Sequence, residues 1–121
     1  MIRGLAGVVL WTERVEELVR FYRDVVGLPL HAHHGDFAAF DAGPGLRLSV
    51  GRHSEVRGPA RDPYRVMVNL GTDDIHGDYR RLRGAGVTFL RPPEREHWGG
   101  WVATLRDPDG NIVQLLQQPE A

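Results

Sequence analysis

The sequence predicts an α+β domain in which one βαβββ unit is used twice. Three observations carry this. A short apolar run, "LAGVVLW", leads straight into an amphipathic helical pattern, and "YRVMVNL" followed by "DDIHGDYRRLRGAG" repeats that order in the second half. Each helix is followed by three strand-length segments. A βαβββ unit has a curled mixed sheet with a helix on one face and cannot close alone. Two copies are therefore expected to enclose a cleft, with the helices on the outer face.

In "TERVEELVRFYRDVVG" the residues Val15, Leu18, Val19, Tyr22, Val25 and Val26 recur at three- and four-residue spacing, forming one apolar helical stripe. Thr12 is the expected cap and Gly27 the expected stop. Strands over 28–33, 36–41 and 46–52 follow, separated by Gly35 and "AGPG". Module one thus spans 1–52, the polar stretch "HSEVRGPARDP" (53–63) is a linker, and module two spans 64–118, all within a single domain, 1–121.

Module two opens with a strand over 64–70. Its helix carries Ile75, Tyr79, Leu82 and Ala85 on one face, with Asp73 as cap and Gly86 as stop. "VTFLR", "GWVATLR" and "NIVQLLQ" are the closing strands. "DPDG" (107–110) reads as a type I turn, with Pro second and Gly last. Asp107 and Asp109 are then turn residues bonding nearby backbone amides rather than a catalytic pair.

Alternation sorts the strand residues by face. Val66, Val68 and Leu70 are expected under the helix, which sends Arg65, Met67 and Asn69 into the cleft. Leu46, Leu48 and Val50 leave Arg47 and Ser49 for the cleft. Folding about "DPDG" pairs Ala103 with Gln114 and Trp101 with Leu116, which places Trp101 and Gln114 together on the cleft side. Trp98 precedes a Gly-Gly hinge near the cleft mouth, and His97 sits beside it.

Composition removes several chemistries. There is no Cys, and all fifteen basic residues are Arg, so thiolate nucleophiles, thiolate metal sites and lysine Schiff bases are excluded. The net charge of −1 gives no reason to expect nucleic acid or a membrane as partner. No apolar run approaches the roughly 20 residues of a membrane span, and the expected location is the cytoplasm.

"RFYRDVVGLPL", "TDDI" and "LRDPDGNIVQLLQ" resemble the vicinal oxygen chelate superfamily, which includes glyoxalase I, extradiol dioxygenases and bleomycin-binding proteins. The resemblance implies paired βαβββ modules and a homodimer. Metal-using members hold a divalent ion with side chains on the first, fourth, fifth and eighth strands. Carried over residue by residue, those positions are Gly7, Arg47 or Ser49, Met67 and Gln114. A hard cation needs anionic or imidazole donors, so no metal and no cofactor is expected. "HAHH" places His31 and His33 on one strand face, which reads as polar edge residues.

The leading expectation is a protein that binds, and by binding sequesters, a flat, neutral or anionic small molecule. Arg47, Arg65, Asn69, Trp98, Trp101 and Gln114 are its candidate ligand contacts: indoles stack and guanidinium groups grip oxygens. Two readings stand beside it. One is a lyase-, isomerase- or dioxygenase-type enzyme with His97 as acid or base and Arg47 or Arg65 at an enolate. The other is a dimeric interaction module.

Overall fold

The computed structural model describes residues 1–120. The chain divides into two compact units, one over residues 1–59 and one from Ala60 onward. The first unit contains β1 (Gly7–Trp11), α1 (Val15–Arg20) with a π-helical continuation (Phe21–Val26), β2 (Leu30–His34), β3 (Phe37–Asp41) and β4 (Arg47–Gly51). The second contains β5 (Val68–Gly71), α2 (Ile75–Gly84), β6 (Phe89–Arg95), β7 (Trp101–Arg106) and β8 (Ile112–Gln117). Each unit is βαβββ. Its sheet runs β1-β4-β3-β2 in the first and β5-β8-β7-β6 in the second, so the repeat holds in order and topology. In both, the first and last strands pair in parallel and the other pairs are antiparallel.

A threonine pins the strand-to-helix corner of each unit. The Thr12 N–H donates to the Gly51 carbonyl at 2.9 Å, and the Thr72 N–H to that of Leu116 at 3.0 Å. Thr12 Oγ1 accepts the Arg14 N–H, and Thr72 Oγ1 that of Asp74, two residues on in both cases. These bonds turn the chain out of the sheet and start the helix. Thr12 is accordingly not the cap: that position is Arg14, whose side chain makes no capping bond. In the second helix the cap is Asp74 rather than Asp73, its carboxylate accepting the Gly77 N–H at 3.1 Å.

Both helices stop at a glycine with φ +91°, Gly27 and Gly86. Gly86 lies four residues beyond Leu82, whereas Gly27 lies five beyond the matching Tyr22. The π-helical stretch absorbs the extra residue, because i→i+5 bonding fits one more residue per turn.

Each helix covers one face of its sheet. Leu18, Val19 and Tyr22 pack with Ala38, Phe40, Leu48 and Val50, and Ile75 and Leu82 with Ala103, Leu105, Val113 and Leu115, all buried. Burying each such aliphatic side chain stabilises by about 1.5–3 kcal/mol. Strand β5 begins only at Val68, so Tyr64, Arg65 and Val66 lie outside it, and Val66 is exposed rather than under α2. A proline and a turn pattern precede Val68, and no ladder reaches back to residue 64.

The closing hairpin differs from the expected register by one residue. Arg106 pairs with Ile112, Thr104 with Gln114 and Trp101 with Gln117. The loop is Asp107–Asn111, with Gly110 at φ +81°, and the Asp107 carboxylate holds it. Its Oδ1 accepts the N–H groups of Asp109 and Asn111, and its Oδ2 accepts the Asn111 side-chain amide, each at 2.9 Å. A left-handed glycine after a type I turn adds one residue to the second strand's side.

Asp107→Ala should therefore destabilise the protein by about 2–3 kcal/mol, since it leaves two backbone donors and an amide without their charged acceptor. Urea unfolding should show a lower midpoint with an unchanged slope.

Candidate functional site

The sheet faces turned away from the helices carry the chemistry. In the first unit, three rows cross β1, β4, β3 and β2 on that face. One row reads Trp11, Gly51, Phe37 and His34, and the next Val9, Ser49, Ala39 and Ala32. The third reads Gly7, Arg47 and Asp41, with His31 completing it from β2. Four residues along a strand separate the aromatic row from the charged row, about 13 Å.

Two glycines shape this face. Gly51 leaves room for both rings beside it: a Cβ there would meet the Phe37 ring at 2.7 Å and the Trp11 ring at 2.8 Å. Trp11 and Phe37 sit 6.1 Å apart by ring centroid, Trp11 meets His53 edge-on at 5.2 Å, and both larger rings are about two-fifths exposed. Gly7 is bare because a Cβ would run into the backbone carbonyl of Arg47. Between the glycine rows the floor is small and mostly apolar, with Ser49 nearly buried.

In the second unit one polar row crosses all four strands on the helix-free face: Asn69, Gln114, Thr104 and Arg91. The Gln114 amide donates to Thr104 Oγ1 at 3.3 Å. Arg91 is paired with Glu94 and, at 2.8 Å, with Glu96. Hydrogen bonds from its guanidinium to Glu94, then to Glu96, hold it above its ordinary range. Thr104 and Arg91 were not expected here. The signal for Thr104 is the "LRDPDGN" turn chemistry, readable only with a left-handed Gly110, whereas Arg91 is brought in by the irregular β6–β7 pairing, for which the sequence carries no pattern.

The structure thus gathers Asn69 and Gln114 in one row and puts Arg47 on the matching face of the other unit. It does not put Trp101 with Gln114. The one-residue shift turns Trp101 to the helix side, where its indole meets the His76 ring of α2 edge-on at 4.8 Å. Arg65 does not project from a strand; it is exposed and faces Asp62 at 3.7 Å. His97 and Trp98 lie in the turn between β6 and β7, closed by the Gly99 N–H to the Glu96 carbonyl and the Glu96 N–H to that of Gly100. His97 is exposed. The Gly-Gly pair has two separate reasons: Gly99 takes φ +96°, and Gly100 lets the Trp98 indole lie against the backbone.

The positions that the resemblance assigns to a metal do not fit one. Gly7 has no side chain, Met67 lies ahead of β5 with a soft thioether, Arg47 is cationic and Gln114 is neutral. Among the described residues, no three His, Asp or Glu side chains are grouped to hold an ion. Two open hollows of about 590 and 520 Å³ lie beside the start of α1, sharing Glu13, Asp36 and Arg52. Arg52 and Asp36 are ion-paired there at 3.3 Å, and no indole or phenyl ring lines either hollow. The sheet face offers the better ligand chemistry.

The family described as "Glyoxalase/Bleomycin resistance protein/Dioxygenase superfamily" matches residues 4–115. Among solved structures, TnmS3, an antibiotic binding protein from Streptomyces sp. CB03234, superposes with a TM-score of 0.81 at 26% identity over 98% of each chain. A bleomycin resistance protein from Klebsiella pneumoniae is 32% identical over 68 residues, 49% of this chain and 54% of that one. Bacillus subtilis YetH is 26% identical over 97% of this chain and all of its own.

Adding a methyl at either packed glycine should disturb the neighbouring indole. Gly100→Ala meets the Trp98 ring and the Gln117 carbonyl oxygen, and should cost about 1–3 kcal/mol. Gly51→Ala should change the tryptophan fluorescence through Trp11. An unchanged emission spectrum and melting temperature in both variants would contradict this packing.

Proposed function

The chain belongs to the Glyoxalase/Bleomycin resistance protein/Dioxygenase superfamily, and from that premise we propose that it binds a flat, neutral or anionic small molecule without using a metal ion. The observation that carries this reading is the helix-free face of the first unit. Two half-exposed rings, Trp11 and Phe37, stand at one end of a small-residue floor and a guanidinium, Arg47, stands at the other. A ring system lying on that floor stacks against the indole, while its oxygen substituents take hydrogen bonds from Arg47. A few polar groups around an apolar surface are the general form of a small-molecule site.

Two further observations support it. The donor set Gly7, Arg47, Met67 and Gln114 offers no anion to a divalent cation, which removes the usual Lewis acid of the superfamily's enzymes. The likeness to an antibiotic binding protein and to a bleomycin resistance protein favours sequestration over turnover. Asn69 and Gln114 are proposed as polar ligand contacts on the second unit's own open face, and Trp98, about two-fifths exposed, as an aromatic contact of that unit. Trp101 and Arg65 leave the proposed set because of where their side chains stand.

Titration with a panel of polycyclic quinones, followed by tryptophan fluorescence, tests the proposal. Saturable quenching is expected, with the ligand recovered unchanged by mass spectrometry. Trp11→Ala should weaken it about tenfold. Prior dialysis against a chelator should leave the affinity as it was. Stoichiometric zinc, manganese or iron in the purified protein, lost together with binding on chelation, would overturn the reading.

A homodimer belongs to the same proposal. Ile2 and Leu5 ahead of β1, and Tyr64 and Val66 ahead of β5, stand largely exposed and give a second copy apolar surface to cover. Sedimentation should return twice the chain mass of 13.6 kDa, and Leu5→Asp with Val66→Asp should return the chain mass itself.

A further inference from the structure

The charged end of the first unit's open face is more than a grip for oxygen. Three strands each deliver one group to it: His31 from β2, Asp41 from β3 and Arg47 from β4. Asp41 and Arg47 are direct cross-strand partners, with Arg47 Nη1 at 3.3 Å from Asp41 Oδ1. His31 reaches them because β2 is irregular at that point. Leu30 pairs with Phe40 but Ala32 with Ala39, so His31 is the extra residue of a bulge. A bulge re-aims the side chain it carries. Simple alternation would have grouped His31 with His33, whose partner Ala38 is buried under the helix.

The two nitrogens of the His31 ring face opposite kinds of group. Nδ1 lies 3.5 Å from the Asp41 carboxylate, and Nε2 lies 3.4 Å from Arg47 Nη2. A guanidinium has only donors, so the tautomer of the neutral ring that suits both neighbours presents its Nε2 lone pair to Arg47 and carries its proton on Nδ1, toward Asp41. The charged groups facing the ring are thus Asp41 and Arg47, while the neighbouring strand β1 contributes Gly7, which has no side chain. An imidazole oriented by a carboxylate, with its basic nitrogen beside a fixed cation, has the form of a proton acceptor placed next to an oxyanion holder.

The geometry points to a proton-accepting subsite for an acidic hydroxyl, a phenol or an enol conjugated to a carbonyl. This inference rests on the binding reading above and names the chemistry of that ligand's polar end. On binding, the ligand oxygen takes the place of Nε2 before the Arg47 guanidinium; the O–H bond breaks, the proton goes to the Nε2 lone pair so freed, and the electron pair stays on oxygen as a phenolate or enolate held by Arg47. The imidazolium so formed is balanced by Asp41. No oxidant or co-reactant is needed, and reversal returns the ligand intact. The ring of the ligand then extends over Ser49 and Ala39 toward Trp11 and Phe37.

The test uses 4-nitrophenol, whose phenolate is coloured, added to the full-length protein across a pH series. The wild-type protein should keep bound 4-nitrophenol ionised about one pH unit lower than in buffer. His31→Gln and Arg47→Gln should each abolish that shift, and His33→Gln, on the same strand but the other face, should retain it. Should the bound probe titrate as it does in buffer, or His31→Gln match the wild type, the subsite is refuted. Independently of any variant's folding, long-range proton–nitrogen correlation spectra of the unliganded protein should show His31 protonated on Nδ1 at neutral pH. Protonation on Nε2 would also refute the subsite. Naphthalene, which has no hydroxyl, separates the two ideas. If it quenches tryptophan fluorescence while 4-nitrophenol stays protonated, the binding reading stands and the subsite falls; if neither probe binds, both fall.

Discussion

The carboxylate of Asp107 holds the loop that sets the register in which β7 meets β8. It accepts three hydrogen bonds inside the Asp107–Asn111 loop and so fixes a five-residue connection with a left-handed Gly110. Strand side chains alternate with a period of two, so moving the register by one residue exchanges the two faces entirely. With this loop, Thr104 stands beside Gln114 on the open face and Trp101 joins His76 on the helix side. A loop one residue shorter on that side would reverse both. The pairing of Thr104 with Gln114 on the second unit's open face follows from a turn that touches neither residue, while Asn69 and Arg91 join that row through the β5–β8 ladder and the irregular β6–β7 ladder.

The first unit's face depends on what is missing rather than on what is bonded. Gly7 and Gly51 stand at the two ends of the open face, and each is bare because neighbouring atoms already fill its Cβ position. At Gly51 those atoms belong to exposed aromatic rings, so the glycine keeps Trp11 and Phe37 close to the sheet. At Gly7 the atom is a backbone carbonyl, so the close pairing of β1 with β4 itself excludes a side chain. The position to which the resemblance would assign a metal ligand is here shaped by strand packing. The polar groups of that row, His31, Asp41 and Arg47, bond one another instead.

The repeat explains how two such different faces arise on the same frame. Thr12 and Thr72 make the same pair of bonds at the same corner, and Gly27 and Gly86 close the helices with the same φ. The π-helical turn takes up the one residue by which the units differ in helix length. Because corners, caps and buried stripes carry the fold, the open-face positions are free to diverge. Ser49 answers to Gln114, Gly7 to Met67 and Trp11 to Gly71. One unit became aromatic and cationic, the other polar.

Periodicity and residue type determined the two βαβββ units, the buried stripe of α1, Ile75 and Leu82 as the buried residues of α2 (Ala85, expected with them, is exposed just past the helix end), both glycine stops and the placing of Arg47 and Ser49 on the open side of β4. These depend on contacts between residues near in sequence, and a run of apolar residues at helical or strand spacing records them directly. Three features were decided only by tertiary structure: the register of β7 against β8, the late start of β5 that leaves Arg65 in a turn, and the bulge that brings His31 to Asp41 and Arg47. The register and the bulge each turn on a single residue's offset between strands, and the late start of β5 on four residues that stay outside the ladder. Such features are set by a loop carboxylate, a proline-bearing approach or a cross-strand irregularity, and none of these alters the hydrophobic pattern from which a sequence is read.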